Sequence, residues 1–379
     1  MVFCVRVRSA HATVIIELLR DGTFEDVDAE LSNVRAGLCW AIAHEPARVD
    51  RAAVDAFIRY GTARSGYREL YRVLGALGEV APDDVVRATA LRGAGMGAIE
   101  SGDHATADAL AGRALELFEK LGDVPGRAAA LNVAGTAAKA GSDFPAAESK
   151  YRVCLELAEA AGFARGITVA LNNLGTLAHA TAEYELALDY YQRSLEVKRQ
   201  IGDEEGAAVS LMNLGAVANE LGDYERARPE LEAALAIMRK HGSPYQMAFA
   251  LVLLGEARRG LGDLDAAGAL VEEGLRHSRA VQHDATVAFA LTLLGDIAVK
   301  AGDERTAQAR YREALAHPAA APEVARTLER LAAVRARSAP EEARELLASA
   351  DEMRRRHGAP VPPADRARLD RTRGLLASG

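Results

Sequence analysis

The feature that most constrains this chain is a period. Glycine recurs at Gly95, Gly135, Gly175, Gly215, Gly255 and Gly295, 40 residues apart each time. Four residues before each glycine stands a leucine, from Leu91 to Leu291. Eight residues after it stands an acid: Asp103, Asp143, Glu183, Asp223, Asp263 and Asp303. Alanine follows twelve residues after every glycine, from Ala107 to Ala307. A small residue comes nineteen after it: Ala114, Cys154, Ser194, Ala234, Gly274 and Ala314. Agreement at five offsets across six copies points to an array built from one repeated unit.

Each unit reads as helix, tight turn, helix. In "LMNLGAVANELGDYERARPELEAALAIMRKHGS", residues 211–243, apolar residues recur at i, i+3, i+4 and i+7 on both sides of "LGD". Gly222 suits a left-handed C-cap and Asp223 an N-cap. A second break precedes the next unit, where Ser243-Pro244-Tyr245-Gln246 has the form of a capping box with proline at the first helical position. Pro229 falls inside the second helix of its unit, so a kink or a late helix start is expected there. The period also explains a stretch such as "ALNNLGTLA", residues 170–178. Gly175 costs a helix interior about 0.8–1 kcal/mol relative to alanine. It is tolerable if two antiparallel helices must approach closely at that point, and packing is the first reading of every glycine and alanine in the repeat.

Composition narrows the function classes. Apolar residues make up 49% of the chain and aromatics only 5%, which suits helices packed through small side chains. A net charge of −8 argues against a general nucleic-acid binder. Cys4, Cys39 and Cys154 are too scattered for a disulfide framework or a zinc site and fit a reducing cytoplasm. No apolar run is long enough to span a membrane. The first residues, interrupted by Arg6, Arg8 and His11, make a poor signal peptide, and a short strand over 2–8 is the most β-structure the chain is expected to hold.

Leucine, glycine, alanine, an aromatic and alanine along a helix-turn-helix resemble the tetratricopeptide repeat. The aromatic slot holds Ala111, Tyr151, Tyr191, Leu231, Val271 and Tyr311, so three of the six copies match. The period exceeds the usual length of about 34 residues and resembles the longer variant of kinesin light chains and many bacterial regulators. The resemblance implies an all-α, right-handed superhelical solenoid. The flanks extend it. "AELSNVRAGLCWAI" (29–42) and "ARELLASADEMRRRHGAPVPPADRARLDRTRGLL" (343–376) resemble the opening and closing segments of the helical arms of large, often actinobacterial, signalling ATPases. No G-x-x-x-x-G-K-[ST] loop is present, so the chain resembles the arm alone.

The expected organisation is an N-terminal segment at 1–27, degenerate helical repeats at 28–84, six repeats at 85–322, and a degenerate pair, Pro-rich linker and closing helix at 323–379. Ser338-Ala339-Pro340-Glu341 has the form of a capping box within the last region. Each repeat should contact only its neighbours.

No catalytic or metal constellation stands out. Histidines show no H-E-x-x-H spacing, His277 and His283 lie six apart across a helix end, and no G-x-S-x-G turn is present. No cofactor is expected. In tetratricopeptide arrays the first helix of each unit lines the concave groove, so the resemblance makes its exposed face the candidate site. Counting from each glycine, that face carries Arg92, Asn132 and Lys139, then Asn172, Asn173 and His179, then Asn213 and Asn219. Phe249, Glu256, Arg259 and Phe289 complete it.

The asparagines offer donors and acceptors and would clamp an extended peptide. They would serve equally to bond neighbouring repeats, or stand as a polar face without a role. The Lys/Asn/Arg clamp for chaperone C-terminal carboxylates is not reproduced, since its basic positions hold mostly Asn, Val or Met. The gradient from Arg92, Lys139 and His179 to two phenylalanines suggests a ligand with an acidic end and an apolar end. The resulting expectation is a non-catalytic protein- or peptide-binding scaffold or sensor in bacterial regulation. The partner would be a protein or peptide in the groove, with no nucleic acid and no membrane. A small-molecule or signalling-peptide sensor and an unrecognised enzyme on a helical solenoid are the alternatives.

Overall fold

A computed structural model describes residues 2–63, 66–241 and 244–378. Among them lie twenty α-helices and no strand. The N-terminal stretch runs through α1 (Val2–Asp21), α2 (Phe24–Ala29), α3 (Leu31–His44), α4 (Arg51–Ala63) and α5 (Tyr67–Val80), with a 3-10 turn at Pro46–Arg48. The periodic region follows as hairpins: α6 (Asp84–Glu100) with α7 (His104–Leu121), α8 (Val124–Ala140) with α9 (Phe144–Ala160), and α10 (Ala164–Ala180) with α11 (Tyr184–Gln200). It continues as α12 (Glu204–Leu221) with α13 (Tyr224–His241), α14 (Pro244–Gly260) with α15 (Leu264–Ala280), and α16 (Asp284–Lys300) with α17 (Glu304–Leu315). The chain ends with α18 (Ala321–Arg335), α19 (Pro340–His357) and α20 (Pro363–Ala377). None of these helices is long and apolar enough to cross a membrane.

In five of the six hairpins the periodic acid caps the second helix; Glu183, the acid of the remaining one, makes no side-chain cap. Asp103, Asp143, Asp223, Asp263 and Asp303 each accept a hydrogen bond from the backbone N–H three residues on, which caps the second helix. Just before Asp223, Gly222 takes a left-handed φ of 82°, a conformation that costs residues with a Cβ. The breaks between hairpins use the same device, with Asp123 and Asp203 as caps. The helix containing Pro229 begins at Tyr224, as its counterparts do, so the expected late start does not occur. Proline in the second turn removes one helical donor without moving the boundary.

Inside each hairpin the periodic glycine meets the residue sixteen positions later. A Cβ on Gly175 would stand 2.7 Å from the ring of Tyr191, one on Gly135 2.5 Å from Tyr151, and one on Gly295 2.4 Å from Tyr311. Where the slot holds Leu231 or Val271, the space at Gly215 and Gly255 is filled as tightly. Only the first copy, with Ala111 in the slot, is looser, and there Val133 comes within 3.1 Å of the site at Gly95. Glycine therefore creates the recess and the large residue fills it.

Contacts divide the chain into two compact units, Met1–Leu174 and Gly175–Gly379. In the first, α1 packs on α3 and α4, and α5 to α9 stack in order. Ile15, Leu19, Val34, Leu38 and Phe57 fill the core of its N-terminal part. Residues 2–8 are helical, not a strand. In the second unit the first helices α12, α14, α16 and α18 form a row. Here the order breaks: α20 packs against α18 and also against α12, so the closing helix turns back over the row. The rule that each repeat touches only its neighbours does not hold for this element.

One expected cap fails. The N-cap of α19 is Ala339, with Pro340 at the first helical position, which leaves Ser338 one residue too early to cap. Gly242 and Ser243, which include the start of the other expected capping box, lie outside the described residues.

Gly175→Leu should lower the melting temperature followed by circular dichroism, by an amount matching the roughly 1–3 kcal/mol cost of overpacking a core. An unchanged midpoint would mean the Tyr191 ring can move aside.

Candidate functional site

The sequence-derived residues fall into two groups. In the first unit, Arg92 on α6 pairs with Asp55 on α4 at 3.1 Å, and burial lowers its pKa against the pull of that carboxylate. Lys139 on α8 is also lowered by burial. Asn132 on α8 accepts a hydrogen bond from the side-chain amide of Asn173 on α10, and Asn172 is half-buried. The Asn132–Asn173 contact joins one repeat to the next, one of the roles the sequence left open for these residues.

In the second unit, Asn219 is buried and its amide donates to the Leu253 carbonyl at 2.9 Å. Asn213 is half-buried. His179, Phe249, Glu256 and Phe289 meet around one cavity of about 330 Å³. Phe249 and Phe289 form an apolar wall with ring centroids 6.2 Å apart. Tyr245 extends it, its ring tilted at 53° to that of His283 with centroids 4.4 Å apart, and His283 also caps α16 by accepting from the Thr286 N–H. Leu253 adds to the apolar lining.

Sequence reasoning missed three charged members of this cavity, Glu220, Glu323 and Arg326. Glu220 lies at the end of α12 beyond the counted offsets, and α18, which carries the other two, has no periodic glycine. Arg326 reaches Glu220 at 3.2 Å, so α18 and α12 meet through side chains despite their separation in the row. Arg326 also lies 3.4 Å from Asp365 of α20. His179 contacts Glu220 at 3.2 Å, and Tyr184 hydrogen-bonds the same carboxylate. Burial pushes the Glu220 carboxyl up, but these bonds and the Arg326 charge outweigh it and hold the pKa at about 2.

Glu256 differs. It is 7% exposed, and among the described residues no cation lies within 4.0 Å of its carboxylate. Burial drives its pKa upward against more distant pulls from Arg326, Arg259 and Arg330. One oxygen of Glu323, too, is buried without a hydrogen-bond partner. The cavity thus presents three carboxylates to one guanidinium, beside aromatic walls. Of the basic residues from which the sequence suggested an acidic ligand end, only His179 lines this cavity.

Arg259 belongs elsewhere, with Asp296, whose carboxylate lies 3.9 Å away. Asp296 stands one residue after Gly295 and accepts from Tyr311 at 2.8 Å, from Arg330 at 2.8 Å and from Arg368 of α20 at 3.1 Å. Burial would raise its pKa, yet the three arginines and the tyrosine hold it below the ordinary carboxylate range. Thr136 and Thr176 occupy the corresponding place in their repeats and meet the Tyr151 and Tyr191 hydroxyls. The aromatic that fills the glycine recess therefore also engages the face residue next to it.

Among known sequences, the profile of the Tetratricopeptide repeat matches residues 86–160 and 166–240, and the repeats in those two stretches are tetratricopeptide repeats. No curated protein sequence matches the chain. Solved structures share the fold. One is a Signal Transduction ATPase with Numerous Domains protein with a tetratricopeptide repeat sensor from Pyrococcus horikoshii, at 15% identity and TM-score 0.63, covering 95% of this chain and 55% of that one. Another is a Rap protein complexed with Competence and Sporulation Factor, at 15% identity and TM-score 0.58, covering 99% of both chains. A third is a tetratricopeptide repeat protein from Parabacteroides merdae, at 15% identity and TM-score 0.52, covering 76% of this chain and 98% of that one.

Two measurements test these contacts. Asn132→Ala strands the Asn173 amide and should cost stability on the order of 1 kcal/mol, read as a lower urea midpoint. Glu220 has a folded pKa below its ordinary 4.5, so its contribution is complete above pH 4.5 and is lost as pH falls toward 2. The melting temperature should drop across that window, and Glu220→Gln should be less stable at neutral pH with a shallower acid drop. An identical acid profile in the variant would show that Glu220 is not held as described.

Proposed function

We propose that this chain is a non-catalytic binding module. In this reading the first-helix face of residues 175–379 holds a segment of protein or peptide through a basic side chain and an adjacent apolar one. One observation carries it: Glu256 is buried at an aromatic-walled cavity, and among the described residues no cation lies within 4.0 Å of it. A buried carboxylate without a partner is costly, and a ligand cation would satisfy it in a setting where charge attraction is strong. Phe249 and Phe289 supply the apolar anchor that hot spots require. Arg92, Asn132, Lys139, Asn172 and Asn173 are proposed separately, as polar contacts for a partner on the first-helix face of residues 1–174.

The proposed setting is regulation in a bacterial cytoplasm, as a scaffold or sensor. Two proteins of this fold support it by what their names record, a tetratricopeptide repeat sensor in one and a bound factor in the other. A cavity of about 330 Å³ sits at the small end of ligand pockets, which favours as second reading a small molecule or short signalling peptide with the same cation-plus-apolar chemistry.

Selection of a random peptide library on the immobilised full chain tests the first reading. Enriched peptides should pair Lys or Arg with Leu, Ile or Phe, and their binding should fall at least about tenfold, near 1.4 kcal/mol, in Glu256→Gln and Phe289→Ala variants. Enrichment without basic residues, or binding indifferent to both substitutions, would overturn it.

A further inference from the structure

A second cavity of the same unit has the opposite sign. It measures about 460 Å³ and is bounded by Tyr224, Tyr311, Asp296 and Glu304 together with a set of basic side chains. Those are Arg259, Lys300, Arg330, Arg368 and Arg371, five cations against two carboxylates. Asp296 is already engaged by Tyr311, Arg330 and Arg368 and has little left to offer the others. Arg259 is 8% exposed, its Nε is buried without a hydrogen-bond acceptor, and its approach to Asp296 at 3.9 Å is too long for a hydrogen bond. Lys300 and Arg371 are exposed, and among the described residues neither has a carboxylate within 4.0 Å. Three cations with unused donors therefore converge on one cavity.

We propose that this cavity binds a small molecule through a phosphoryl group. A phosphate ester carries close to two negative charges at neutral pH and three strong acceptor oxygens, where a carboxylate carries one charge. Arginine forks match those oxygens two at a time, and lysine adds a point charge. The volume suits a small phosphorylated compound. Two of the five cations, Arg368 and Arg371, come from α20, so the site is complete only when the closing helix is docked. By linkage, the ligand must stabilise the docked helix as much as docking favours the ligand. The proposal is independent of the acid-rich cavity.

Calorimetric titration of the full chain with inorganic pyrophosphate and phosphate tests it, with sulfate and citrate at matched ionic strength as controls. Pyrophosphate should bind with one-to-one stoichiometry, more tightly than citrate or sulfate, and should raise the melting temperature. Lys300→Glu and Arg371→Glu, both at exposed and unpaired positions, should fold normally and weaken pyrophosphate at least about tenfold each, the weight of one charged hydrogen bond lost and one repulsion gained. Normal folding with no pyrophosphate binding at millimolar concentration would overturn the site. So would binding that both substitutions leave unchanged. Citrate binding as tightly as pyrophosphate would overturn the phosphoryl assignment. A phosphoserine peptide binding more tightly than pyrophosphate would overturn the small-molecule assignment in favour of a phosphorylated protein segment.

Discussion

The repeat rests on a missing methyl group. Where Gly135, Gly175 and Gly295 face Tyr151, Tyr191 and Tyr311, any Cβ would stand well inside van der Waals contact with the ring. Each glycine weakens its own helix, and the recess it opens lets a large side chain become almost wholly buried between two helices. Leu231 and Val271 use the same recess, so what recurs is the volume rather than the aromatic ring. The tyrosines add a second consequence. Their hydroxyls emerge beside the next residue of the first helix and pair with Thr136, Thr176 or Asp296, which couples hairpin packing to the polar character of the first-helix face.

Residues 175–379 bury several charged side chains. Arg326, Arg330, Asp296 and Asp365 are each less than a tenth exposed, and Glu329 pairs with Arg354 in the same state. Buried pairs of this kind contribute little net stability over apolar residues, but breaking one leaves an uncompensated charge. Their effect here is on arrangement. Arg368 and Asp365 of α20 find partners only where α16 and α18 present Asp296, Arg326 and Arg330, so the closing helix has one satisfied seat. Two cavities of opposite charge result from this division of partners. Arg326 is drawn to Glu220 and Asp365, which leaves Glu256 without a close cation. Asp296 is taken by Arg330 and Arg368, which leaves Arg259 with an unused donor.

Local chemistry made most of the architecture readable from sequence. The period, the caps at Asp103, Asp143, Asp223, Asp263 and Asp303, and the left-handed turn at Gly222 each depend on residues a few positions apart. The failures were also local. Ser338 is displaced from the cap position because Pro340 takes the first helical place, and of the two outcomes expected at Pro229, a kink or a late start, the late start does not occur.

The candidate site was legible in part. Counting along one helical face found His179, Phe249, Glu256 and Phe289, because side chains on a helix repeat their direction every turn. It could not find Glu220, Glu323 or Arg326 as their neighbours, nor foresee that Asn219 is buried against Leu253 and that Arg259 belongs to a different cavity. Those outcomes depend on how far the row of α12, α14, α16 and α18 bends and where α20 comes to rest, and contacts such as Arg326–Glu220 and Arg368–Asp296 join residues far apart in the chain. By itself the sequence determined the repeat, its turns and the face each residue occupies, since these follow from short-range sterics and hydrogen bonding. Only the tertiary structure decided which charges neutralise one another and which keep unused donors or acceptors, because ion pairing depends on distances in space that a periodic sequence does not encode.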